Sequence, residues 1–134
     1  MQARLHDRNT GKVLVEHLQI ATTFSERFWG LQFRRELPPR AGLLIAPCNS
    51  IHSCWMRFSI DAVFLSPDGT VLAVKSNVRP WRATYPVWGA ACVVEVSSGT
   101  VATRSGDRLY LSLYDLPAAS RGKPPSLIAG LLKA

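Results

Sequence analysis

The sequence lacks the features that mark several large protein classes. Its three cysteines, Cys48, Cys54 and Cys92, are odd in number and irregularly spaced, and no CxxC pair occurs. This argues against a disulfide framework and against zinc, whose protein ligands usually come in closely spaced pairs. The sequence also has no GxSxG, GxGxxG or GxxxxGK[ST] motif, and therefore neither a nucleophile elbow nor a phosphate-cradling loop. We predict no metal and no cofactor.

Long apolar runs are also missing. No segment approaches the ~20 consecutive apolar residues that a membrane-spanning helix needs. Residues 1–7 lack the apolar stretch of a secretory signal. We therefore expect a cytoplasmic protein with no membrane partner.

Acidic residues are few. Sixteen basic residues face nine acidic ones, giving a net charge of +7, which attracts acidic partners weakly and at long range. The aromatic signature of the RRM and the GXXG loop of KH domains are absent. The sequence thus disfavours nucleic acid as a partner without excluding it, and it does not define an oligomeric state.

The remaining patterns indicate one domain of short strands. Residues 2–7 and 12–20 read as a hairpin around the turn residues Asn9-Thr10-Gly11. Thr23 and Glu26 form a capping-box pattern that predicts a short helix over about 24–35. Further strands are predicted at residues 42–47, 50–58, 61–66, 70–78, 91–97 and 108–114. Such spacing is typical of an all-β, mainly antiparallel sandwich or barrel.

The composition changes after Asp115. Residues 116–134 are rich in Pro, Ala, Ser and Gly and contain no acidic residue. We therefore predict a single β domain over residues 1–115, followed by a flexible tail over 116–134 that contributes little to stability.

The stretch from Ser50 to Asp61 contains the strongest candidates for binding or catalytic side chains. As a central strand over 50–58, it would place His52 and Met56 on one face and Arg57 on the other. Asp61 and Glu95 each interrupt apolar strands, and buried charges need partners. One interpretation is a polar pocket that joins His52, Asp61 and Glu95 near Arg57. It predicts a direct or water-bridged contact from His52 to Asp61 or Glu95, with Asp61 favoured because it is closer in sequence. The other is structural: one carboxylate pairs with Arg57 and the other caps a turn.

Residues 79–90 mix cationic and aromatic side chains on a long irregular segment, with Trp81, Tyr85 and Trp88 close to Arg79 and Arg82. Aromatic residues of this kind can stack on nucleobases. They can also pack a loop down as a lid, and the sequence alone favours the lid.

Several motifs resemble the domain of unknown function 192 family. They are Glu26-Arg27-Phe28-Trp29-Gly30-Leu31, Gly42-Leu43-Leu44-Ile45, and the run from His52 to Leu65, with Asn77, Glu95 and Gly106-Asp107 at matching positions. Cys54 departs from the pattern, and the segment after Asp115 lies outside it. The resemblance implies a compact, jelly-roll-like β-sandwich and no established activity, cofactor or catalytic residue.

Three functions are compatible with these observations. The first is a small-ligand-binding module, and its candidate site residues are His52, Met56, Arg57, Asp61, Asn77, Trp81 and Glu95. The second is an enzyme that uses His52 with Asp61 or Glu95 as an acid–base pair, which requires the imidazole within ~3 Å of a carboxylate. The third is a nucleic-acid or protein interaction module that acts through a basic surface.

Overall fold

Seven strands, some with alternating apolar and polar residues and others almost continuously apolar, are present in a computed structural model, which describes residues 2–23, 26–27, 37–115 and 126–132. The strands are β1 (Gln2–Asp7), β2 (Val13–Ala21), β3 (Ala41–Ile45), β4 (Ile60–Leu65), β5 (Val71–Val78), β6 (Cys92–Ser97) and β7 (Leu109–Asp115). They form one sheet in the order β5-β4-β6-β3-β2-β1-β7. All pairs are antiparallel except β2 with β3. The predicted all-β, mainly antiparallel fold is confirmed.

The sheet curls until its two edge strands meet. Thr70 and Arg108 form an antiparallel bridge, and the Leu109 N–H donates to the carbonyl of Gly69 at 2.8 Å. Buried side chains from all seven strands fill the concave side, which we call the inner core; Leu18, Leu44, Val63 and Leu111 are typical members. This curled sheet with a filled interior is the form that the predicted compact β domain takes.

A second group of buried side chains lies on the convex side of β3, β4 and β6. This outer core contains Leu43, Ala62 and Val93 from the strands and Ile51 and Met56 from the segment before β4. Because side chains alternate across a strand, β4 and β6 contribute to both cores. This double coverage explains why their sequences are almost continuously apolar.

Gly69 allows the edges to meet. Its φ is +90°, and a Cβ there would lie 2.2 Å from the carbonyl oxygen of Leu109. We predict that Gly69→Ala lowers the free energy of unfolding by about 3 kcal/mol or more, since it adds a backbone clash to the cost of a left-handed residue. Gly11→Ala is the matched control: φ is +73° with no atom within 4 Å, so only the conformational cost of about 1 kcal/mol applies. Equal losses in urea unfolding would contradict the closure role.

The predicted hairpin and capping box are confirmed. Glu26 Oε1 accepts a hydrogen bond from the Thr23 N–H at 3.0 Å, and Thr23 Oγ1 accepts one from the Glu26 N–H at 3.1 Å. Residues 24–25 and 28–36 of the predicted helix lie outside the described residues. No helix in the described ranges is long and apolar enough to cross a membrane.

Two predictions need correction. Residues 50–58 are not a strand: only His52 makes an isolated bridge, to Ala83, and Trp55 has a φ of +68°. The predicted flexible tail is wrong for residues 126–132, where a 3-10 helix (Ser126–Leu131) inserts Ile128 and Leu131 into the inner core. Residues 116–125 and 133–134 lie outside the described residues.

Candidate functional site

Two irregular segments cover the outer core. Backbone hydrogen bonds run from the Ser53 N–H to the Arg82 carbonyl, from the Thr84 N–H to the Ile51 carbonyl, and from the Val87 N–H to the Asn49 carbonyl. They join residues 49–55 and 81–88 into a layer of two paired segments, which we call the outer ribbon. Ile51 packs into the outer core from the outer ribbon, and Val87 packs against it.

Glu95 is a buried carboxylic acid on β6. Its neighbours across the sheet are Leu43 on β3 and Ala62 on β4, and both side chains belong to the outer core. Directly opposite residues share a face, so the carboxyl group of Glu95 points into the outer core. Glu95 is only 4% exposed.

No hydrogen bond or ion pair compensates this burial within the described part of the chain. Desolvation alone raises the pKa of Glu95 to about 8, because burial disfavours the charged form. At neutral pH the group is therefore mostly a neutral acid, with one O–H that can donate a hydrogen bond and oxygens that can accept one.

Cys48 lies within electrostatic range of Glu95 and, separately, of Arg27. Burial raises the pKa of the Cys48 thiol, the Glu95 charge raises it further and the Arg27 charge opposes the rise. The Cys48 thiol donates to the carbonyl of Ser50 at 2.9 Å. One guanidinium nitrogen of Arg27 donates to the Pro47 carbonyl at 3.2 Å, whereas its buried Nε has no hydrogen-bond partner.

Asp61 points to the opposite side of the sheet. It opposes Val96 on β6, an inner-core residue, whereas Glu95 opposes Ala62. The Asp61 carboxylate accepts hydrogen bonds from the Asn77 N–H at 2.8 Å, the Ser98 hydroxyl at 3.0 Å and the Gly99 N–H at 2.9 Å. Asp61 therefore caps the turn after β6 and supports an irregularity in β5, a structural role that the second interpretation of the sequence anticipated for one carboxylate.

The predicted pocket is consequently divided. Met56 is buried in the outer core with Glu95, but His52 and Arg57 are exposed. None of the described hydrogen bonds or ion pairs joins His52 or Arg57 to either carboxylate, so the predicted contact of His52 is wrong in its direct form. It depended on a strand at 50–58, which would have buried the imidazole.

The last two predicted site residues lie elsewhere. Asn77 is exposed at the irregularity in β5, with a φ of +54°. Trp81 contacts Trp55 in an edge-to-face arrangement, with ring centroids 4.7 Å apart and an interplanar angle of 63°. In the parts of the chain that the structure describes, no three His, Cys, Asp or Glu residues are grouped so that they could hold a metal ion.

Sequence reasoning missed Ser53, the most connected side chain of the outer ribbon. Ser53 is fully buried. Its hydroxyl donates to the Arg79 carbonyl, lies 3.2 Å from the Arg82 carbonyl and accepts from the Arg82 N–H at 2.9 Å. A serine between His52 and Cys54 gives no signal in the sequence. Ser98 and Gly99 could have been found, because Ser-Gly directly after an apolar strand indicates a turn that needs an acceptor.

The comparisons identify the family. The sequence profile of DUF192, described as Uncharacterized ACR, matches residues 5–111. The UPF0127 protein of Pyrococcus furiosus is 32% identical over 107 residues, 74% of this chain and 90% of that protein. The UPF0127 protein of Thermococcus sibiricus is 34% identical over 102 residues, 72% of this chain, and the chain spans 65% of that protein.

A solved structure shares the fold. A Novosphingobium aromaticivorans protein of unknown function has a TM-score of 0.68 and 23% identity, with 81% of this chain and 83% of that chain covered. The curled sheet and the motif resemblance thus agree with the profile match over most of the chain. This chain belongs to the DUF192 family.

Proposed function

We propose that the protein is a cytoplasmic small-ligand-binding module whose site lies in the outer core, beneath the outer ribbon. The unpaired Glu95 carboxyl group carries this proposal. It is 4% exposed and flanked by Leu43 and Ala62, and none of the described residues satisfies its oxygens.

A buried carboxyl group without a hydrogen-bond partner destabilises the folded protein. A buried polar group without a partner costs roughly 1–3 kcal/mol, and most buried polar atoms in proteins are hydrogen-bonded. An apolar wall with a few polar groups is the usual construction of a small-molecule site. A ligand that hydrogen-bonds to the Glu95 carboxyl group would supply the missing partner and recover that cost on binding.

The neighbours of Glu95 define the chemistry of the ligand. A neutral carboxylic acid exchanges paired hydrogen bonds with amides, carboxylic acids and alcohols. A small, partly apolar molecule with one such polar end fits these groups better than a cation does.

A ligand screen on a Glu95→Leu variant tests the proposal. Amides, carboxylic acids and alcohols are screened against wild type by thermal shift; a ligand at about 100 times its Kd stabilises by about 2.7 kcal/mol. We expect Glu95→Leu to fold with equal or greater stability, because an apolar side chain replaces an unpaired acid. The same variant should bind none of the ligands found with wild type.

His52→Ala is the matched control. The imidazole is exposed, so the substitution should change the free energy of unfolding by less than about 0.5 kcal/mol and leave ligand binding intact. Unchanged binding by Glu95→Leu, or binding lost only in His52→Ala, would contradict the proposal. An acid–base pair of His52 with a carboxylate gains no support, since no described contact joins them.

A further inference from the structure

Large aromatic side chains are exposed along the outer ribbon. Trp55 and Trp81 are each 54% exposed, Tyr85 is 89% exposed and Trp88 is 90% exposed. A lid would bury these rings against the protein, so the lid interpretation of the sequence is wrong for Tyr85 and Trp88. Exposed aromatic groups concentrated on one element mark an interaction site.

The backbone is strained where the two half-exposed tryptophans lie. Trp55 has a φ of +68° and Trp81 a φ of +64°, a conformation that bulky residues rarely adopt. Glycine would fit both positions without strain. Strain that surrounding structure enforces is concentrated at functional sites, and here it brings two rings into edge-to-face contact at the surface.

Ser53 holds this arrangement from below. Besides its hydroxyl contacts, its N–H donates to the Arg82 carbonyl at 2.7 Å and its carbonyl accepts from the Trp81 N–H at 3.0 Å. Ser53 thus fixes the backbone of the two segments that carry Trp55 and Trp81. The aromatic surface is therefore formed before any partner arrives, which lowers the entropic cost of binding.

The charge of the same region is uniformly positive. Residues 46–59 and 79–91 contain Arg57, Arg79 and Arg82, all exposed, and no acidic residue. The only other large exposed hydrophobic residue in the described ranges is Tyr114. A membrane-binding surface would add exposed Leu or Phe to its Trp residues. This region offers exposed aromatic rings, with exposed arginines close to them in sequence.

We propose that the outer ribbon and the residues that flank it bind single-stranded nucleic acid. Bases stack on Trp55, Trp81 and the other exposed rings, and phosphates pair with Arg82 of the ribbon and with Arg57 and Arg79 beside it. Stacking of bases on aromatic side chains combined with a cationic track is how sequence-tolerant single-strand binding works. This site is separate from the proposed Glu95 pocket and does not depend on it.

Fluorescence anisotropy with labelled single-stranded RNA and DNA of about 20 nucleotides tests the inference. We expect binding that weakens steeply as salt rises from about 50 to about 200 mM, because arginine–phosphate pairs release counterions. Trp55→Gly and Trp81→Gly should each weaken binding about tenfold or more, while thermal midpoints stay at or near wild type because glycine relieves the left-handed strain. Ser53→Ala, which changes only a positioning residue, should weaken binding by a smaller factor.

Tyr114→Ala is the matched control, because Tyr114 is an exposed ring with Arg4 above it at 4.7 Å but lies on β7, outside the outer ribbon. It should bind as wild type does. Absence of binding at the low salt concentration, or equal binding by the Trp→Gly variants, would overturn the proposal. Preferential binding to phosphatidylserine vesicles that is lost in the Trp→Gly variants would overturn it in favour of a membrane surface.

Discussion

Truncation after Asp115 is expected to lower the free energy of unfolding by about 3–5 kcal/mol, because it removes two fully buried side chains and the chain segment that seats them. Ile128 and Leu131 are 0% and 1% exposed in the inner core, and Leu132 forms a parallel bridge to Leu111. Urea unfolding of the full chain and the truncated chain measures the loss directly.

Gly130→Ala tests the same docking without shortening the chain. A Cβ at Gly130 would lie 2.2 Å from the carbonyl oxygen of Pro67, so the 3-10 helix could not keep its position. We expect a loss in the same direction as the truncation and no larger than it, because the truncation removes the whole docked segment. A truncated chain within about 0.5 kcal/mol of the full chain would show that the inner core closes without Ile128 and Leu131.

The stability of the wild-type protein is expected to fall as pH rises from about 4.5 to about 8, because Glu95 keeps its proton in the folded state over that range. Its pKa is about 8 when folded against an ordinary value of 4.5, so the unfolded chain releases the proton first. This linkage lowers the free energy of unfolding by about 1.4 kcal/mol per pH unit. The stabilisation that comes from the retained proton of Glu95 is fully present below about pH 4.5 and is lost above about pH 8.

Glu95→Gln should remove this dependence while keeping the side-chain size. The difference between wild type and Glu95→Gln, measured by urea unfolding from pH 5 to 9 at constant ionic strength, isolates the Glu95 contribution from that of other groups. Val93→Ala, on the same face of β6, should lower stability by about 1–2 kcal/mol at every pH and leave the slope unchanged. Parallel pH curves for wild type and Glu95→Gln would show that Glu95 ionises normally in the folded protein.

The strands that alternate or are continuously apolar could be predicted to within a residue or two, because period two and turn residues such as Asp68-Gly69 are local signals. The stretch 50–58 could not. Its buried anchors, Ile51 and Met56, are five residues apart, and Ser53 is buried for its hydrogen bonds; neither fact follows from a strand period. The conformation of a loop that covers a sheet is determined by its contacts with residues that are distant in sequence.

The two buried carboxylates illustrate the same limit. The apolar neighbours of Asp61 and Glu95 correctly indicated that both are buried, at 7% and 4% exposure. Which face each occupies depends on the register between β4 and β6, where Asp61 opposes Val96 and Ala62 opposes Glu95. A shift of one residue exchanges the faces, and no single-strand pattern fixes that pairing.

The two cores are enclosed by different kinds of structure, and we therefore expect them to open at different rates. The inner core is enclosed by strand ladders, whereas irregular chain covers the outer core. Elements with few ladder hydrogen bonds open at lower free energy than the strands do, as separate cooperative units. The outer ribbon can therefore lift and reclose many times within the lifetime of the intact sheet, and each opening admits water and small solutes to the outer core, on the face of the sheet to which Glu95 belongs.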